Sequence, residues 1–177
     1  HCAFYGGLNI SENGSEAQRH ELLPKLARGE LLMAYGLSEP NVGGDLPSVE
    51  TTGRRSRDGQ SVVINGTKRW CTAARIANYI ICLLRSDAEA PRYRNLSLVL
   101  VPTEAPGITM SDLEHQGLRY TATCDVTFDD VEVPWERVFI YDDVELANMT
   151  VQKVTLWRQY MQQVAVKNVA KLEFILG

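Results

Sequence analysis

What this sequence is short of narrows its function first. No apolar run approaches the ~20 residues that a membrane-spanning helix needs. The chain opens His1-Cys2-Ala3-Phe4-Tyr5-Gly6-Gly7, without the basic start and long apolar core of a secretory signal. It lacks a basic excess: the net charge is −4, which argues against nucleic acid as its main partner. The three histidines, His1, His20 and His115, are scattered. So are the four cysteines, Cys2, Cys71, Cys82 and Cys124, with no Cys-x-x-Cys spacing, so no metal site is expected. They read as reduced thiols of a cytoplasmic protein. Internal repeats and low-complexity segments are absent too.

What remains is ordinary soluble-protein material. The 177 residues are 45% apolar and 23% charged, enough to bury a sizeable core in one domain or one and a half. The chain begins without Met and ends on Ile175-Leu176-Gly177, inside an apolar helical pattern. It is expected to be a piece of a longer protein.

Residues 1–14 carry little signal. Ser15-Glu16-Ala17-Gln18 fits a capping box, so a helix is expected from Glu16. Leu22, Leu23 and Leu26 give it an apolar face; Pro24 is expected to begin a second short helix, and Gly29 to stop it. From Leu31 the period changes to that of strands, with candidates at 31–38, 47–55, 60–65, 67–72, 78–85, 95–102, 107–112 and 122–133. Asn65-Gly66 reads as a two-residue hairpin turn, Asp58-Gly59 as another tight turn, and Arg54-Arg55-Ser56-Arg57 as a solvated hairpin tip. Many strands without intervening helices predict an antiparallel barrel or sandwich. After Pro134, Val154, Trp157, Met161, Val164, Ala165, Leu172 and Ile175 recur at helical spacing, which predicts one long amphipathic helix over residues 144–176. Its unpartnered stripe predicts self-association.

The stretch that organises this pattern is Met33-Ala-Tyr-Gly-Leu-Ser-Glu-Pro-Asn-Val-Gly-Gly-Asp45. A half-apolar strand breaks at Glu39-Pro40, because Pro40 fixes its own φ and drives Glu39 extended. Gly43 and Gly44 permit left-handed backbone and the close approach of another molecule. The stretch suits the rim of a flat polar ligand, or is simply a strand running into a turn. Trp70 and Thr72, two apart, are expected to share one strand face; Trp70 is either an aromatic wall for such a ligand or a core residue.

Tyr35-x-Leu37-Ser38-Glu39-Pro40-x-x-Gly43-x-Asp45 resembles the signature that opens the middle β-domain of acyl-CoA dehydrogenases. Asn65-Gly66-x-Lys68-x-Trp70-Cys71-Thr72 resembles that family's flavin-stacking segment, and Pro106-Gly107, Gly117-x-Arg119 and Phe128-Asp129-Asp130-Val131-x-Val133-Pro134 its later landmarks. The resemblance implies a mainly β middle domain (residues 31–138), flanked by the end of an N-terminal helical domain (1–30) and the first helix of a C-terminal bundle (139–177). It implies FAD as cofactor and an acyl-CoA as substrate, oxidised between its α and β carbons. Tyr35, Leu37, Ser38, Trp70 and Thr72 would face the flavin. Gly44 would hold the thioester by its N–H alone, where the family commonly has Ser. The resemblance places the catalytic base beyond Gly177, so no catalytic residue is assigned here, and Glu39 and Asp45 are expected to fix turn and loop. The piece by itself is expected to be inactive, in a parent that oligomerises through the C-terminal helix.

Val133-Pro134-Trp135-Glu136-Arg137-Val138-Phe139-Ile140-Tyr141, Asp143-Val144-Glu145-Leu146 and Ala170-Lys171-Leu172-Glu173-Phe174-Ile175-Leu176-Gly177 also resemble the 4-hydroxyphenylacetate 3-monooxygenase family, which shares this architecture. A flavin-dependent aromatic hydroxylase is therefore one alternative. A non-catalytic interaction module is another.

Overall fold

The computed structural model describes residues 2–86, 96–117 and 119–140, with side chains from Gly6. The expected helix over 144–176, and the association expected through it, lie outside these residues. Two helices come first, α1 (Cys2–Asn13) and α2 (Glu16–Ala27). Eight strands follow: β1 (Met33–Gly36), β2 (Thr52–Arg55), β3 (Ser61–Cys71), β4 (Tyr79–Arg85), β5 (Leu96–Pro102), β6 (Ile108–Asp112), β7 (Cys124–Pro134) and β8 (Val138–Ile140).

The capping box at the head of α2 forms as its spacing predicts: Gln18 N donates to Ser15 Oγ at 3.2 Å, and Ser15 N to Gln18 Oε1 at 2.8 Å. Pro24 does not begin a second helix. It lies inside α2, where its ring frees only the solvent-facing carbonyl of the preceding turn. The helix α1 went unread because Gly6 and Gly7 weaken helical propensity. Both glycines serve close packing: a Cβ on Gly6 would stand 3.0 Å from Met33 Sδ, and one on Gly7 3.0 Å from Leu26 Cδ2.

The strands form one sheet in the order β6-β7-β3-β2-β4-β5-β8, with β1 off this path against β4. Most pairs are antiparallel as expected, but β1 and β2 each run parallel to β4, one after the other along the edge that β5 does not occupy. No pairing among the described residues closes the sheet, so it is an open, curled sheet rather than a barrel. The curl brings Val62, Ile64, Val126, Phe128 and Val131 of β3 and β7 against Ile80, Cys82, Leu84, Val99 and Val101 of β4 and β5 in the main core. Alternate residues of β4 and β5 face the other way: Ile81 and Leu100 meet Ile10, Leu22 and Leu26 of the helices. Both faces of these strands are thus buried, which explains their continuous apolar runs.

Two expectations about β3 fail. Asn65-Gly66 is no hairpin turn: β3 runs straight through it for 11 residues. Between the Ile64–Val131 and Gly66–Phe128 pairs, β7 carries one extra residue, a bulge with Asp130 at φ 48°. Asn65 spans that bulge, donating through Nδ2 to Asp130 Oδ1 (2.8 Å) and accepting from Asp130 N (2.9 Å). Gly66, at φ +143°, is required there because a Cβ would lie 2.7 Å from Thr51 Cα. Nor do Trp70 and Thr72 share a regular strand. A second bulge between Lys68 and Cys71 puts the extra residue on β3, with Trp70 at φ 62°, and Thr72 falls past the strand's end. The Asp58-Gly59 turn does form, with Gly59 N donating to Ser56 O at 3.0 Å. The arginine cluster sits at that tip, where Arg55 caps Gly59 O and stacks over Trp135 at 3.8 Å.

Candidate functional site

The site is built where β1 leaves the sheet beside the second bulge of β3. Beyond Gly36, residues 37–51 form an excursion that re-enters the sheet at β2. Its first residues have no strand ladder to hold them. Instead, Leu37 O accepts from Lys68 Nζ at 3.3 Å, and Ser38 O accepts from Arg69 N at 2.8 Å. Glu39 closes a tight turn with Val42 by bonds in both directions between their backbones, of 2.7 and 3.2 Å.

The Glu39 carboxylate is buried and fully used. Lys68 Nζ reaches Oε1 at 2.7 Å, Thr51 N the same oxygen at 2.9 Å, and Glu50 N reaches Oε2 at 2.6 Å. Burial by itself would raise its pKa. The Lys68 charge and the hydrogen bonds outweigh that and hold it below the ordinary carboxylate value. The reading of Glu39 as a residue that fixes the turn holds. Asp45 similarly fixes its loop, accepting from Ser48 Oγ at 2.6 Å.

Next to this junction Trp70 stands 53% exposed, with the Arg69 guanidinium carbon 5.4 Å from its ring centroid. Cys71 plugs into the core opposite Cys124, and exposed Thr72 follows. The turn then binds the segment before β7: Ala73 N donates to Thr121 O at 2.9 Å. A line of hydroxyls runs Thr121–Thr123 (2.9 Å) and on to Thr72 (3.4 Å). Of the four described non-glycine residues with left-handed backbone, Trp70, Ala73 and Ala122 are gathered at this place. Such backbone costs about 1–2 kcal/mol per residue and persists only where the surroundings impose it.

The five residues expected at a flavin are thus only partly assembled by their side chains. Trp70 and Thr72 are exposed on either side of Cys71, and Ser38 adjoins them through its backbone. Tyr35 and Leu37 turn their side chains outward instead. Tyr35 packs on the helix-side cluster and accepts from Asn9 Nδ2 at 2.9 Å, while Leu37 packs with Val42, Val49, Leu83 and Leu96. Gly43 and Gly44 do not adopt positive φ, and a Cβ on either would meet nothing within 4 Å. Missed in the sequence were Lys68, whose signal was a cation at the inward register of Val62 and Ile64, and the Thr121–Thr123 hydroxyls. Among the described residues no group of histidine, cysteine, aspartate and glutamate side chains is placed to hold a metal ion. Buried Cys71, Cys82 and Cys124 are free thiols; burial pushes Cys82 up to about 11 and raises the other two, so none is a nucleophile.

Residues 34–131 match the family model described as acyl-CoA dehydrogenase, middle domain. A mitochondrial isovaleryl-CoA dehydrogenase from Pongo abelii is 36% identical over 136 residues, which are 76% of this chain and 32% of that protein. Among solved structures, an acyl-CoA dehydrogenase from Geobacillus kaustophilus superimposes with a TM-score of 0.72 at 32% identity, over 76% of this chain and 36% of its own. One from Bacillus anthracis, complexed with FAD, gives 0.72 at 30% identity, over 81% of this chain and 24% of its own. The chain spans about a third of the length of the curated relatives it matches.

Proposed function

Because this chain belongs to the acyl-CoA dehydrogenase family, matching its middle-domain model over residues 34–131, we propose that it supplies the flavin-facing wall of an FAD-dependent enzyme that α,β-dehydrogenates an acyl-CoA thioester. The observation that carries this reading is the cluster of strained backbone around exposed Trp70. A large aromatic held at left-handed φ, 53% exposed with Arg69 over its face, joins no buried cluster of the described residues. It suits a flat heteroaromatic ring with an apolar face and a polar rim.

FAD, when bound, supplies the acceptor for a hydride from the β carbon. The residues of this chain position and polarise. Trp70 offers the wall, the Thr72 hydroxyl a donor at the rim, and the backbone of Tyr35, Leu37 and Ser38 the adjoining edge. Donors aimed where negative charge develops favour the transfer. Gly44 offers the thioester only its N–H. Glu39 is not the base that takes the α proton, since its carboxylate is committed to Lys68, Glu50 and Thr51. Asp45 is bound to Ser48. In this reading the base comes from outside the described residues, residues 1–30 belong to a flanking helical domain, and the second flanking domain expected from 139 begins only after β8, which ends at Ile140 within the sheet. The free buried thiols support a reducing compartment such as the cytoplasm.

The test is a titration of the purified chain with FAD, followed by flavin fluorescence. Saturable binding that Trp70→Ala weakens is the expected result. Unchanged affinity in that variant would show that the wall is elsewhere. Incubation with FAD, acyl-CoAs and an artificial electron acceptor should give no sustained dye reduction.

A further inference from the structure

We propose that the buried Glu39–Lys68 ion pair is a positioning device for the flavin site, setting the Leu37–Ser38 edge against the Trp70 bulge. It rests on the flavin reading above and extends it to two residues with no access to a ligand. Their side chains are 3% and 0% exposed.

The edge at Leu37 and Ser38 lies beyond the end of β1, so no sheet ladder fixes it. Lys68 Nζ holds Leu37 O, the neighbouring Arg69 N holds Ser38 O, and the same Nζ holds Glu39. Glu39 in turn ties the far end of the excursion through Glu50 N and Thr51 N. On the other side, Lys68 is the last residue of β3 in register with β7 before the bulge that carries Trp70. Both walls of the site therefore meet at Lys68: its ammonium group holds the Leu37 edge, and its backbone leads into the Trp70 bulge. Gly36 makes room for its stem: a Cβ there would stand 3.1 Å from Lys68 Cγ and 3.1 Å from Ile80 Cγ2. A hydrophobic pair would fill such a core as stably. What it would not do is hold Leu37 O and both ends of the excursion at once.

The test uses the full chain and FAD. In the double variant Glu39→Gln with Lys68→Met, the dissociation constant should rise tenfold or more, and the visible circular dichroism of bound flavin should change shape. Gly36→Ala keeps both charges, presses on the lysine stem and on Ile80, and should weaken FAD about threefold. It also answers the question should the double variant not fold. Glu21→Gln is the control. It removes the half-exposed Glu21–Arg137 pair (2.9 Å) and should lower the melting temperature while leaving affinity and dichroism unaltered. If folded Gly36→Ala and the double variant bind as the parent does while Trp70→Ala binds less, the positioning role is wrong and the flavin reading stands. If the unaltered chain does not bind FAD at any concentration, the flavin reading falls and the positioning role with it.

Discussion

The pairing of β3 with β7 is interrupted twice within seven residues of β3, and the two interruptions are finished in opposite ways. At the first, the side chains of the bulge pair with each other. The left-handed residue is Asp130, of a type that tolerates such backbone; Asn65 exchanges two hydrogen bonds with it, and Gly66 opposite keeps clear of Thr51. At the second, the left-handed position is given to a tryptophan, the residue with the most to lose by exposure, and its ring is left half in solvent. A bulge that serves only the sheet is assigned the residue that fits it. A bulge that serves a ligand tolerates the wrong residue, because the side chain is needed outside.

The largest effect should come from the first bulge. Gly66→Ala sets a methyl against the Thr51 backbone at a φ that L-residues avoid, and should cost roughly 2–4 kcal/mol in urea unfolding. FAD affinity of the folded protein should not move. At the second bulge the two quantities should trade. Trp70→Ala should lose about 1–3 kcal/mol of FAD binding, by analogy with aromatic stacking on bases. Trp70→Gly should lose the same and yet be at least as stable as the parent, since glycine removes a left-handed penalty of about 1–2 kcal/mol. A Trp70→Gly protein that is less stable than Trp70→Ala would erase the distinction between the bulges. Asn65→Ala should cost about 1 kcal/mol for its exposed bonds to Asp130. The smallest change is Ala73→Gly, which should raise stability by less than ~1 kcal/mol, read as a shift in urea midpoint, with no loss of FAD.

How far this was legible depends on what kind of signal each feature leaves. The runs of β4 and β5 and the cap of α2 were readable, because burial on both faces and a capping box are local patterns. The parallel placement of β1 and β2 was not, since it depends on where an excursion of the chain returns. Asn65-Gly66 misled because a glycine that admits unusual φ serves a bulge as well as a turn. The Trp70 segment was found through resemblance, but its geometry was misread: alternation assumes a regular strand, and the extra residue shows only in the register with β7. Lys68 stood in the motif without a role: its inward register was the one local trace, and its partner lies 29 residues away in sequence.

The tie from Glu39 to Glu50 and Thr51 has a consequence for how such a chain can change over generations. It fastens the excursion at its neck, so the residues beyond the neck are mechanically insulated from the strand behind it. At Gly43 and Gly44, added side chains would meet open space. New side chains at Gly43 and Gly44 can therefore accumulate without disturbing the register of β1 on β4 or the seat of Trp70. The neck lets a lineage edit what the loop touches while the sheet behind it stays still.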